Sequence, residues 1–157
     1  MLKDNSSLVD LSGIKDKVRS GVTTVKLLSH VVASNGSLET VRAVSLQDLN
    51  YEHPNDIFTD FGLFKGLIML NLRGLRCNTQ PVVNFAILAH IDLPNLQLLN
   101  MNQTLEISED VQFPAQNFPS LKELFCRNNR LKSVGLFRGL QSLKLLDLAN
   151  NAISQVG

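Results

Sequence analysis

Leu121-x-x-Leu124-x-Cys126-x-x-Asn129-x-Leu131 is the stretch that decides the fold. It returns 22 residues later as Leu143-x-x-Leu146-x-Leu148-x-x-Asn151-x-Ile153. Apolar residues two apart, as at Leu124 and Cys126, mark one face of a short strand. The asparagine three positions further on is a turn residue. Such a unit is too short to bury its apolar face alone, so copies must stack. The template also fits Leu96-x-x-Leu99-x-Met101, Leu67-x-x-Leu70-x-Leu72 and Val41-x-x-Val44-x-Leu46. Starts at 41, 67, 96, 121 and 143 are therefore spaced by 26, 29, 25 and 22 residues. The strand side has to stack evenly, whereas the return can carry helical turns of different length.

The returns show further echoes. Gly62-Leu63-Phe64-Lys65-Gly66-Leu67 and Gly135-Leu136-Phe137-Arg138-Gly139-Leu140 differ only by Lys for Arg, which predicts two turns with Phe64 and Phe137 packed inward. Thr79-Gln80-Pro81 followed by Val82, Val83, Phe85, Ala86, Ile87 and Leu88 reads as a helix, with Pro81 in its first turn and Asn78 or Thr79 as its cap. Asp92 to Asn95 turns into the next strand. Ahead of the repeats, Val22, Val25, Leu28 and Val32 have helical spacing, ended by Asn35-Gly36. Leu8 to Gly13 reads as one more edge strand. The expected organisation is an edge strand and capping helix in residues 1–40, then the repeats in 41–157.

The composition fits a folded chain. Of 157 residues, 44% are hydrophobic and 18% charged, with a net charge of +1. That balance carries no nucleic-acid or anionic-membrane footprint. No apolar run is long enough to span a bilayer, and the N-terminus shows no apolar signal segment. The two cysteines, Cys77 and Cys126, sit at or beside apolar consensus positions and read as small buried hydrophobes. Without cysteine-rich end caps, the expected location is intracellular. Sequons at Asn5, Asn35 and Asn102 occur at about the chance rate for this composition.

No constellation argues for catalysis, a cofactor or a metal. His30, His53 and His90 lie in unrelated contexts, with no carboxylate or cysteine at ligand spacing. His90 reads as a structural side chain within the apolar helix. Asp56 and Asp60 suit a helix start or a solvated turn. No glycine loop has the phosphate-binding pattern. The readable surface is the strand face opposite the consensus leucines. Alternation turns outward Ala43, Ser45 and Gln47; Met69, Asn71 and Arg73; Leu98, Asn100 and Asn102; Glu123, Phe125 and Arg127; and Leu145, Asp147 and Ala149. An apolar column, an aromatic and two arginines among amides have the composition of a binding surface.

These units resemble the leucine-rich repeat, which implies an α/β fold: an irregular solenoid of about five repeats with an N-terminal helical cap, binding another protein on its concave face. Leu8-Val9-Asp10-Leu11-Ser12-Gly13-Ile14 resembles more specifically the leucine-rich region of the ZYG (zygote-defective) family, substrate receptors of cullin-RING ubiquitin ligases. Val44 to Leu49 with Pro54, Phe58, Leu67, Leu70 and Leu72, and then Leu93 to Thr104, extend that resemblance over residues 8–131. It implies an adaptor that contacts ubiquitin-ligase subunits. The departures are a ligase-docking box and an armadillo-like array, neither of which this chain carries, and a longer Asn78–Leu93 stretch. The opening strand and helix also resemble the leucine-rich domain of nuclear mRNA export receptors, although the near-neutral charge argues against RNA contact. The Phe-Lys/Arg-Gly-Leu phrases and the sequons resemble a fragment of an extracellular receptor.

Overall fold

Six three-residue strands lie side by side in chain order, every neighbour parallel. They are β1 (Leu8–Asp10), β2 (Ala43–Ser45), β4 (Met69–Asn71), β7 (Leu98–Asn100), β8 (Glu123–Phe125) and β9 (Leu145–Asp147). The computed structural model describes residues 8–10, 41–51, 61–77, 79–81, 83–106 and 111–154. The expected helix ending at Asn35-Gly36 lies outside those residues. The same holds for His30, His53, Asp56 and Asp60, and for the sequons at Asn5 and Asn35.

The register follows the sequence template without a slip. Val9, Val44, Leu70, Leu99, Leu124 and Leu146 form one row across the sheet. Val44, Leu70, Leu99 and Leu124 are each no more than 1% exposed, and so are Leu46, Leu72, Met101 and Cys126 two positions on. Burying one such leucine contributes about 1.5–3 kcal/mol, and a one-residue slip would turn the whole row to solvent. The final unit is less enclosed: Leu143, Leu146 and Leu148 are half-buried.

A backbone feature repeats with the same period. Asp48, Gly74, Gln103, Asn128 and Asn150 each lie seven residues after a unit start, and each has φ between 57° and 67°. The left-handed conformation turns the chain sharply out of the sheet. It is tolerated best by Gly, Asn and Asp, which occupy four of the five positions.

Asparagines then stitch successive turns together. Asn129 Nδ2 donates to Cys126 O in its own unit and to Met101 O in the previous one, both at 3.0 Å. Its Oδ1 accepts from Thr104 N at 3.1 Å and Leu105 N at 2.9 Å. Asn151 repeats the pattern, donating to Leu148 O and Cys126 O and accepting from Leu131 N. Thr104 holds the equivalent place in the Leu96 unit. It is fully buried and donates its hydroxyl to Leu75 O at 2.7 Å.

The returns run along the opposite side as short helical turns at Phe61–Leu63, Ala115–Asn117 and Val134–Phe137, plus helix α1 (Phe85–Leu88). Phe64 and Phe137 are buried, as the two echoing phrases predict. Phe85, Phe113 and Phe137 meet edge-on or tilted at centroid distances of 5.5–5.8 Å, joining three consecutive returns.

The predicted helix from residue 79 is corrected. Asn84 is its N-cap, accepting from Ile87 N at 2.8 Å, and Pro81 lies outside it. Gln80–Pro81 instead form β6, antiparallel to β5 (Arg76–Cys77), which pairs in parallel with β3 (Asn50–Tyr51). Proline lacks a donor and is tolerated on such an edge strand. Thr79, at φ 65°, turns the hairpin, and its N–H donates to Asn50 Oδ1. The hairpin plus α1 explain why this unit is the longest. His90 lies in the exposed turn after α1, not within an apolar helix.

Candidate functional site

Away from the core, the sheet presents its outward residues in three rows. Ala43, Met69, Leu98, Glu123 and Leu145 stand in register, as do Ser45, Asn71, Asn100, Phe125 and Asp147. Backbone bonds from Leu72 N to Asn100 O, Gly74 N to Asn102 O, and Gln103 N to Arg127 O carry the pairing beyond the strands. Arg73, Asn102 and Arg127 are therefore neighbours in the third row, flanked by Gln47 and Ala149. Every outward residue expected from the sequence falls in these rows.

The rows differ in chemistry. The first is apolar except for Glu123, with Met69 43% and Leu145 40% exposed. The second is polar except for Phe125. Among the seven phenylalanines in the described residues, six are buried, and Phe125 is half-buried on this face. An aromatic ring left partly in water forgoes burial energy that the other six recover.

The amides also have a structural task that the sequence pattern did not announce. Asn71 Oδ1 accepts from Arg73 N at 3.1 Å, Asn100 Oδ1 from Asn102 N at 2.9 Å, and Asp147 Oδ1 from Ala149 N at 3.1 Å. Each acidic or amide side chain thus closes the turn two residues ahead. The signal was present as Asn or Asp four positions after the starts at 67, 96 and 143. In the Leu121 unit that position is Phe125, which has no acceptor. Asn102 from the preceding unit substitutes, its Oδ1 accepting from Arg127 N at 2.7 Å.

The two arginines are not equivalent. Arg127 Nε meets Asp147 Oδ2 at 2.7 Å, a pair 52% and 23% exposed. An exposed pair of this kind contributes about 0.2–1 kcal/mol. Arg73 is exposed, and its guanidinium meets no partner among the described residues. Asn71 Nδ2 is bound across to Ser45 Oγ and Gln47 Oε1.

Elsewhere, a cleft of about 450 Å³ opens at the turn edge between Arg76, Pro81, Gln103, Glu106 and Arg130. Arg76 there donates to Gln103 O and Leu75 O, so its guanidinium holds the turns together. Both cysteines are reduced and buried. Burial pushes the Cys126 thiol far above its ordinary pKa, and the Asp147 carboxylate adds to the shift; burial alone raises Cys77. Among the described residues there is no cluster of three or more His, Cys, Asp or Glu able to hold a metal ion. No helix among them is long and apolar enough to cross a membrane.

A family model described as Leucine Rich repeats (2 copies) matches residues 119–157, the two units with the clearest template. No curated protein matches the chain.

Proposed function

We propose that this chain is a non-catalytic protein-interaction module whose partner occupies the outward face of the six-stranded sheet. One observation carries the reading: a parallel sheet, normally covered on both faces, has one face that no described residue covers, and Met69, Leu98, Phe125 and Leu145 lie on it. Leucine-rich repeats generally bind other proteins, which is the same class of function. Within this reading the units form an irregular solenoid, the outward face is concave, and residues 1–40 close the end ahead of repeats spanning 41–157. Intracellular use of the module follows from the sparse cysteines.

The narrower role, a substrate adaptor of a cullin-RING ubiquitin ligase, rests on the sequence resemblance over residues 8–131. The test is affinity capture from cell extract read by mass spectrometry, with an Arg73→Glu/Phe125→Ala variant alongside the wild type. Circular dichroism first establishes that the variant keeps its fold. A partner captured by the wild type and lost by the variant supports face binding, and cullin-type subunits among the captured proteins support the adaptor role. Equal capture by both proteins sinks the face assignment.

A further inference from the structure

The outward face is chemically one-sided in its middle. The Oδ1 atoms of Asn71, Asn100 and Asn102 each accept a backbone N–H, from Arg73, Asn102 and Arg127. A backbone N–H can only donate, so the amide orientation is fixed: oxygen toward the chain, nitrogen outward. Asn71 Nδ2 is then taken by Ser45 and Gln47. The Nδ2 groups of Asn100 and Asn102 have no partner among the described residues. The Arg73 guanidinium, beside Asn102 in the register, has none either. What the centre offers a visitor, among the described residues, is unpaired donors, while each of these amide oxygens already accepts one hydrogen bond.

Charge points the same way. The exposed residues just ahead of the strands include Arg42, Lys122 and Lys144. With Arg73 and Arg127 at the other end of the strands they make five cations, against the four acids Asp10, Asp48, Glu123 and Asp147. Phe125 and Leu98 lie alongside the donors, Phe125 in register with Asn100, so apolar side chains stand between the two cationic edges.

We propose, building on the face-binding reading above, that the occupant is an unmodified acidic protein segment. One of its Asp or Glu carboxylates sits against Arg73 and the Asn100 and Asn102 amides, and a neighbouring apolar side chain rests on Phe125 and Leu98. A guanidinium takes a carboxylate in a two-pronged hydrogen bond, and each amide N–H adds a donor to the same charge. A nucleic-acid strand fits less well, since phosphate binding draws on several unpaired cations, whereas Arg127 is already paired with Asp147.

The experiment uses the full chain as bait for a random twelve-residue peptide display library. Selected peptides are then measured by fluorescence polarisation against wild type, Arg73→Ala, Arg73→Lys and Phe125→Ala. Among the described residues the Arg73 guanidinium has no hydrogen-bond or ion-pair partner, and circular dichroism verifies that each variant keeps its fold. Expected are peptides enriched in Asp or Glu beside an apolar residue. Their affinity should fall roughly tenfold or more on Arg73→Ala and on Glu→Gln in the peptide, less on Arg73→Lys, and again on Phe125→Ala. Peptides sensitive to Phe125→Ala but indifferent to Arg73→Ala and to Glu→Gln overturn the acidic partner and leave face binding intact. Peptides indifferent to all three variants, or no enriched peptide, overturn both. Displacement by an equal concentration of single-stranded RNA also overturns the acidic-segment proposal.

Discussion

Replacing Asn129 with alanine tests whether the turns are stitched together as described. The side chain serves five backbone groups: the carbonyls of Met101, Cys126 and Arg127, and the N–H groups of Thr104 and Leu105. Met101, Thr104, Leu105 and Cys126 are all buried. A buried donor or acceptor stripped of its partner costs about 1–3 kcal/mol. Four such groups set an upper limit, but Asn129 is half-buried on the wall of the turn-edge cleft, where water can replace part of what is lost. The expected loss is about 2–4 kcal/mol, a large share of the roughly 5–15 kcal/mol typical of a domain. In a chain of this size that lowers Tm by roughly 5–15 °C. Urea unfolding followed by circular dichroism gives the free energy, with Asn100→Ala as the internal comparison. Asn100 Oδ1 serves a single N–H on the half-buried outward face, so its loss should stay below about 1 kcal/mol. A loss at Asn129 no larger than that at Asn100 would refute the reasoning.

Gly74→Ala should destabilise by about 1–3 kcal/mol. Gly74 has φ 67°, and an added Cβ would collide with the Asp48 carboxylate; an unchanged Tm would contradict the turn geometry. Leu124→Ala, at a fully buried position, should lose about 2–5 kcal/mol, and Leu148→Ala, half-buried in the last unit, distinctly less. Equal losses in urea unfolding would count against the reported difference in enclosure. With both thiols raised by burial, little thiolate forms at pH 8. Cys126, the more deeply buried and with Asp147 nearby, should react with a maleimide only after unfolding, and Cys77, 8% exposed, should react before it. Mass spectrometry of partly labelled protein would show the reverse order if the burial assignment were wrong.

Much of the architecture was legible because the template is local. Five starts placed the strands, and the row from Val44 to Leu146 followed, since a strand's side chains alternate and the unit leaves one choice of register. The same alternation turned the outward residues to the correct face. The stretch around Pro81 was not legible. A proline ahead of an apolar run suits a helix start and an edge strand equally, and only the neighbouring strand at Arg76–Cys77 decided between them.

The sequence by itself determined which residues face the core and which face outward, because both depend only on period and composition. The tertiary structure decided what the outward residues are free to do. Asn102 makes up for the acceptor that Phe125 lacks, Arg127 is paired by Asp147 from the next unit, and Arg73 is left unpaired among the described residues. These partners lie 20–25 residues apart in the chain. Their meeting depends on how adjacent units stack, and no pattern within a single unit contains that information.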